Sequence, residues 1–202
     1  MKMSKIIPFE SAEPVPLLAP NESLVDLDQL TRKVRMWAEE RNILLGSTPI
    51  DQSMKLFSEF GELADNVGKG RDTKDDIGDV LVVTIIMSTQ MNFDIIPEYE
   101  AITITDLDQF TDKQLALSLN MALCSFVMMP DNKSIPQVLS LLSMLAVIKG
   151  STLAECLGVA YNDIKDRKGR MENGVFIKES DTGKWLIRDW NTRYHMLSCH
   201  HA

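Results

Sequence analysis

Histidine and cysteine are scarce in this chain of 202 residues, and their positions disfavour several kinds of metal site. The three histidines, His195, His200 and His201, all lie near the C-terminal end. A di-iron carboxylate bundle is therefore disfavoured, because it needs Glu-x-x-His pairs on its helices. The three cysteines show no metal-ligand spacing, which favours reduced thiols in a cytosolic compartment.

Long apolar runs are also missing. The longest run, Val80–Met87, is broken by Thr84 and is too short to span a bilayer. The N-terminal segment lacks the continuous apolar stretch of a secretory signal. We therefore expect a cytoplasmic protein that does not insert into a membrane.

Basic residues are outnumbered by acidic ones, 21 to 29, which leaves a net charge of -8. Nucleic acids and anionic membranes bind basic surfaces, so neither is an expected partner. A small anionic substrate remains compatible with this charge, because bound metal ions can invert it locally. The chain length is that of one domain with a full core.

Proline and helix signals divide the chain into three parts. Residues 1–22 contain four prolines and are predicted to form an extended arm. Residues 23–172 have helical periodicity, and 95–150 are expected to add two helices to the helical core. Residues 173–202 are predicted to form a β-hairpin, with strands at 175–179 and 184–190, and a tail. The expected fold class is therefore all-α.

Start and stop signals place the individual helices. Thr48 is a predicted N-cap with Pro49 at the first helical position, and the turn signal Gly68-Lys69-Gly70 follows the predicted end of that helix. The next helix is apolar nearly all round after Asp79, which is typical of a buried helix. The predicted helices span about 23–44, 49–67, 73–91, 108–129, 134–149 and 152–170.

Two pairs of acidic residues are the main candidates for chemistry. Glu59 and Glu62 are three positions apart, as are Asp76 and Asp79, so on a helix each pair projects from one face. Thirteen residues separate the pairs, which is enough for one helix to end and an antiparallel one to begin. Four carboxylates that converge in this way suit a hard divalent cation, which prefers oxygen ligands.

A solvated helix face is the competing interpretation, and it applies unequally to the two pairs. Glu59 and Glu62 share the polar side of their helix with other charged residues. Asp79 instead shares its face with Val82, where an unpaired carboxylate is costly to desolvate. A cation, an arginine or a lysine is therefore expected to compensate Asp79. The adjacent Gly78 suggests a close backbone approach.

Basic residues cluster near the end of the last predicted helix. Lysine and arginine at a helix C-terminus complement the helix dipole, as Asp76 does at the start of its own helix. In so acidic a chain, the cluster also suits a polyphosphate. The candidate substrate-binding residues in this stretch are Asn162, Lys165, Arg167 and Lys168.

An internal repeat is suggested by the similarity of residues 80–89 to residues 138–147, at an offset of 58. At this offset, none of the four acids has an acidic counterpart in the second copy. On this interpretation, residues 95–150 contain a decayed repeat that kept its packing residues and lost the four acids. Chance similarity of two apolar helices is the alternative explanation.

The run QSMKLFSEFGELADNVGKG, followed by KDDIGDVLVV, resembles the MazG-type all-α nucleoside triphosphate pyrophosphohydrolases. Their signature is two glutamates three positions apart, a short gap, and then Glu-x-x-Asp. Asp76 stands where the family has its third glutamate. The segments WAEER and AYNDIKDRKGRMENGVFIKESD also look like phage and bacterial members. The resemblance covers about residues 24–94 and 152–181. It leaves out residues 95–150, which look inserted relative to the simplest members.

The resemblance implies a four-helix-bundle core that hydrolyses (deoxy)nucleoside triphosphates between the α and β phosphates and releases pyrophosphate. It implies Mg²⁺ as cofactor, with Mn²⁺ as a substitute, and assembly as a homodimer or homotetramer. A role in a phage nucleotide pool, directed at purines such as dGTP or dATP, is expected. The metal ligands it implies are Glu59, Glu62, Asp76 and Asp79, the first two of which are also the catalytic candidates.

Two further residues are candidates for substrate binding. Lys55 lies on the same helical arc as the glutamate pair and is expected to help hold phosphates. Trp37 is a candidate for stacking on the base, although an aromatic in an apolar stripe is more often part of a core. The alternative functions are a non-catalytic, metal-dependent nucleotide sensor and a purely structural oligomeric bundle.

Overall fold

The computed structural model describes residues 20–104, 107–129 and 133–179. Within these ranges the chain is mostly helical with one small two-stranded sheet, which confirms the all-α class. A MazG-like bundle remains a prediction. The elements are α1 (Pro20–Glu40), α2 (Ile43–Gly46), α3 (Pro49–Lys69), α4 (Lys74–Gln90), α5 (Asp112–Met128), α6 (Ser134–Ile148), α7 (Leu153–Ile164), β1 (Gly169–Glu172) and β2 (Val175–Lys178).

Local capping signals determine both ends of α3. The Thr48 hydroxyl accepts a hydrogen bond from the Asp51 N–H, and the Asp51 carboxylate accepts one from the Thr48 N–H at 2.7 Å. Gly70 ends the helix in the left-handed conformation, with φ 67°. The predicted start at Pro49 is confirmed, and the helix continues to Lys69, two residues beyond its predicted end.

α4 is the central helix of the described structure. It is buried on most sides and packs against α1, α3, α6 and α7, as its apolar sequence predicts. Gly78 allows α4 to approach α7 closely, because a Cβ there would overlap the carbonyl oxygen of Cys156 and the side chain of Ala160. The predicted close approach at Gly78 is therefore confirmed.

The first predicted helix is interrupted, so the prediction of one helix to about residue 44 was wrong. α1 ends at Glu40, and Asn42 adopts the left-handed conformation with φ 56° before the short α2. Tertiary hydrogen bonds compete with the helix here. The Met171 N–H donates to the Arg41 carbonyl at 2.8 Å, and Asn42 Nδ2 donates to the Met171 carbonyl at 3.0 Å.

The β-hairpin forms earlier in the chain than predicted. α7 ends at Ile164 instead of near residue 170, and β1 (169–172) pairs antiparallel with β2 (175–178). Asn173 and Gly174 form the connection with φ 50° and 77°, which is the conformation of a tight two-residue hairpin turn. The Asn-Gly dipeptide is the sequence signal for this turn, and the predicted position of the hairpin did not take it into account.

Two predictions fall partly or wholly on residues outside the described ranges. α1 begins at Pro20, so the last three residues of the predicted arm, 1–22, are helical. Residues 1–19 lie outside the described residues. The predicted second strand of the hairpin, within 184–190, also lies outside them.

α5 and α6 form a second helical hairpin, which contacts α3 and α4. Capping boxes begin α3 at Thr48 and α5 at Thr111, 63 positions later. The ends of α4 and α6, at Gln90 and Ile148, keep the predicted offset of 58. Neither register gives the second hairpin an Asp or Glu at the positions of the four acids. An origin by duplication stays a prediction.

The helices in the described part of the chain can be compared with a membrane span by their length and composition. No single helix there is both long and apolar enough to cross a bilayer. α6 and α7 together meet the criterion, but they are bent by 93° at the break between them.

Candidate functional site

The two predicted glutamates on α3 differ in their surroundings. Glu59 is only 5% exposed and lies on the buried stripe of the helix with Leu56 and Leu63. Glu62 is exposed. The interpretation of both as a solvated face is therefore wrong for Glu59 and correct for Glu62. The carboxylate of Glu59 forms an ion pair with Lys55, one turn earlier on the same helix.

Asp79 on α4 is the most perturbed carboxyl group of the site. Burial raises its pKa to about 7, and the negative charges of Glu59 and Asp75 add to this increase. Lys55 and Arg167 lower the pKa but do not restore it to its ordinary value. The predicted need for a compensating group is thus only partly met by these two cations.

Asp76 lies in the first turn of α4, close to the end of α3. Its carboxylate accepts a hydrogen bond of 2.9 Å from Asn66 Nδ2. Burial raises the pKa of Asp76, the bond from Asn66 lowers it, and the charges of Asp72 and Glu59 raise it again. Asp76 therefore belongs to the same electrostatic cluster as Glu59, even though it also sits in the first turn of α4.

Asp75 and Asp163 are members of this cluster that the sequence did not indicate as functional. Partial burial raises the pKa of Asp75, and the negative charges of Asp163, Asp76 and Glu59 contribute, against Arg167, which lowers it. The clue for Asp75 was its place beside Asp76. Asp163 carried no comparable signal, because its approach depends on how α7 packs against α4.

The fit of this cluster to a divalent cation is good in donor chemistry and incomplete in geometry. Carboxylate oxygens are the ligands that Mg²⁺ and Mn²⁺ prefer, and burial together with the neighbouring acids raises the pKa of Asp79. However, no three His, Cys, Asp or Glu side chains in the described ranges are arranged to enclose a metal ion. The carboxylate of Glu59 is instead paired with Lys55.

The basic stretch lies just beyond the end of α7, and its members face different neighbours. The charge of Arg167 lowers the pKa of both Asp75 and Asp79. Lys165 Nζ donates to Asn162 Oδ1 at 2.9 Å, and Lys168 pairs with Glu179 across 4.0 Å. Lys165, Lys168 and Asn162 are exposed. Of the four predicted substrate-binding residues in this stretch, Arg167 is the one joined to the acids.

Arg41 anchors this basic stretch, a role that the sequence analysis did not assign. Its Nε donates to the Arg167 carbonyl at 2.8 Å and its Nη2 donates to the Lys165 carbonyl at 3.0 Å. The guanidinium also lies over the ring of Trp37, 5.1 Å from the centroid. The available signal was the spacing of Trp37 and Arg41, four positions apart in the first predicted helix.

Trp37 is part of the core in this structure. The residue is 9% exposed, and its Nε1 is buried without a hydrogen-bond partner among the described residues. Arg41 covers one face of the ring. Stacking of Trp37 on a nucleotide base therefore stays a prediction, and it requires Arg41 or a neighbouring element to move.

Comparison with known proteins gives one partial likeness. An uncharacterized 18.2 kDa protein from the rep-hol intergenic region of Haemophilus phage HP1 (strain HP1c1) is 43% identical over 77 residues. The match covers 37% of this chain and 47% of the phage protein, so the chain spans about half the length of that relative. No protein-family model matches the chain. No solved structure matches it.

Proposed function

We propose that this protein is a Mg²⁺-dependent hydrolase that cleaves (deoxy)nucleoside triphosphates between the α and β phosphates. The observation that carries the proposal is the pairing of two acids from adjacent helices, the buried Glu59 on α3 and the half-buried Asp79 on α4, whose pKa the charge of Glu59 raises. Natural sequences rarely keep such groups buried without a function, because like charges at short range oppose folding. The partial likeness to a phage protein is compatible with a role in a phage nucleotide pool.

The chain's own residues supply binding and orientation at this site. Glu59, Asp76 and Asp79 are the inner ligands, and Glu62 completes the set from the exposed side of α3. Mg²⁺ held by these carboxylates would supply positive charge to stabilise the phosphate oxygens and would make an attacking water more acidic. Glu59 is the candidate to hold that water and accept its proton once Lys55 releases it.

The cations around the site have separate tasks in this proposal. Lys55 moves from Glu59 to a phosphate oxygen when substrate binds. Arg167 holds the phosphates that leave as pyrophosphate, since it is the basic residue already close to Asp75 and Asp79. Lys165 and Lys168 are exposed side chains on the approach to the site.

The test is a panel of canonical and damaged (d)NTPs with purified protein and Mg²⁺, with the products identified. Pyrophosphate and a nucleoside monophosphate are the expected products. Release of orthophosphate in their place would show that a different phosphate bond is cleaved. Glu59→Gln and Asp79→Asn should each lower turnover by roughly 100-fold or more. Asp65→Asn is the matched control, because Asp65 is exposed on α3 and pairs with Lys69 away from the cluster. Full activity in both site variants would disprove the assignment.

A non-catalytic nucleotide sensor is the second candidate, and one observation favours it. Glu59 is engaged by Lys55, and no closed metal-binding group exists among the described residues. A sensor would bind a nucleotide tightly in the presence of Mg²⁺ and release it unchanged. Isothermal titration at high protein concentration, followed by analysis of the recovered nucleotide, separates the two functions.

A further inference from the structure

One face of α5 is exposed although its side chains are mostly apolar. Leu117, Met121 and Met128 are 64%, 69% and 78% exposed, and Gln114 and Cys124 are exposed on the same side. Along the helix these five residues, which we call the α5 seam, are spaced three, four, three and four positions apart. This is the a/d spacing with which helices pack against one another in coiled coils.

The α5 seam carries no charge, and beyond Lys113 its flanks carry none either. No charged residue occurs between Lys113 and Asp131, in a chain of which 25% of the residues are charged. The positions beside the seam, where coiled coils place charges that select a partner, include Ser118, Asn120 and Ser125. A different protein chosen by charge would need complementary groups that these positions lack.

The lack of charge matters because the whole chain has a net charge of -8. Two copies of so acidic a protein repel each other over most of their surface. The α5 seam is a surface at which they meet without that repulsion. Its apolar side chains also match themselves, as a two-fold interface requires, because such an interface uses the same patch on both copies.

We propose that the α5 seam joins two copies of this chain through antiparallel packing of their α5 helices about a two-fold axis near Met121. The opposite face of α5, with Leu119 and Phe126, is buried in the core. Dimer formation therefore needs no change in the fold of the protomer. The contact does not depend on nucleotide hydrolysis, so it stands or fails separately from the proposed function.

The first test is the molar mass of the full chain by size-exclusion chromatography with light scattering. The wild type should have twice the chain mass of 22.8 kDa, or a higher even multiple. The double variant Leu117→Glu/Met121→Glu should raise the dimer dissociation constant by roughly 30-fold or more, as expected for the loss of an interface hot spot. Ile50→Glu is the matched control, since Ile50 is 75% exposed on α3 and outside the seam.

Folding of the double variant is checked by circular dichroism and thermal unfolding. Both substituted side chains point to solvent in the protomer, so its unfolding temperature at low concentration should be preserved. If the charged variant fails to fold, the neutral Leu117→Gln/Met121→Gln variant replaces it in the same measurement of molar mass. It should also weaken the dimer, by a smaller factor.

The second test uses Cys124, which is exposed within the seam. In a Cys199→Ser background, a short bis-maleimide should link two chains through Cys124, while the buried Cys156 stays unreactive. The double variant should lose this crosslink. A monomeric wild type, or a dimer that survives the seam variants unchanged, would overturn the proposal and leave the seam to another occupant, such as residues 180–202 or a different protein.

Discussion

The negative charge of Glu59 on α3 raises the pKa of the Asp79 carboxyl on α4. The effect adds to that of burial, which is the larger cause, and together they bring the pKa to about 7. Two acids that oppose each other in this way cost stability when both are ionised. The consequences can be measured without knowing the substrate.

The stability of the metal-free protein should fall as pH rises from about 4 to about 7. In this interval the unfolded Asp79, with an ordinary pKa of 3.8, is ionised, while the folded carboxyl still holds its proton. The folded state then binds more protons than the unfolded state, so the free energy of unfolding decreases with pH and levels off above pH 7.

The substitution Asp79→Asn should remove the part of this pH dependence that comes from Asp79 and leave the part that comes from Asp75 and Asp76, whose pKa values are also raised. The variant is expected to be more stable than the wild type at pH 8, by about 1–3 kcal/mol after allowance for partial exposure of the site, and similar at pH 4. Urea unfolding at both pH values with EDTA present is the measurement. Asp65 is exposed on α3, so Asp65→Asn should have the same unfolding free energy as the wild type at both pH values. A fall with pH in the unfolding free energy of Asp79→Asn that is as steep as in the wild type would contradict the argument.

Divalent cations should stabilise the folded protein through the same carboxylates. At a concentration 100 times its dissociation constant, Mg²⁺ or Mn²⁺ is expected to add about 2.7 kcal/mol to the free energy of unfolding. The gain should be larger at pH 8 than at pH 5, because ligand carboxylates must be ionised. The measurement is thermal unfolding of the wild type and of Glu59→Gln with and without the cation. Equal stabilisation of the two proteins by the cation would show that it binds elsewhere.

Arg41→Ala should loosen the basic stretch after α7. Arg41 donates to the carbonyls of Lys165 and Arg167, and hydrogen bonds from a charged donor contribute about 1.5–3 kcal/mol each. We expect a loss of at least this size in unfolding free energy, and Arg41→Lys should recover only part of it, because a single ammonium cannot match the guanidinium fork. Arg32→Ala, which breaks an exposed pair with Asp28, should cost under about 1 kcal/mol.

Gly78→Ala should destabilise the protein, whereas Gly61→Ala should stabilise it. A methyl group at Gly78 would collide with the Cys156 carbonyl, and such overpacking costs about 1–3 kcal/mol. Gly61 is exposed on α3 with open space around it, so alanine there should gain about 0.5–1 kcal/mol through helix propensity. Chemical unfolding of the two variants provides the comparison, and a stable Gly78→Ala would refute the close packing of α4 on α7.

Features that depend on neighbouring residues along the chain were predictable. Thr48 and Gly70 mark the ends of α3 because a side-chain cap and a left-handed glycine act within one helical turn. The Asn173-Gly174 turn is equally local and readable. The apolar sequence of α4 correctly predicted its burial, since a helix without a polar face has no side to expose.

Features that depend on packing were not predictable from one sequence. The sequence by itself placed Glu59 on a polar arc, and only the packing of α3 put that side chain on the buried stripe facing α4. It also allowed the last helix to continue to about 170, where hydrogen bonds from Arg41 and the pairing of β1 with β2 end it sooner. Periodicity identifies which residues share a helix face, but the direction of that face is decided by contacts between helices distant in sequence.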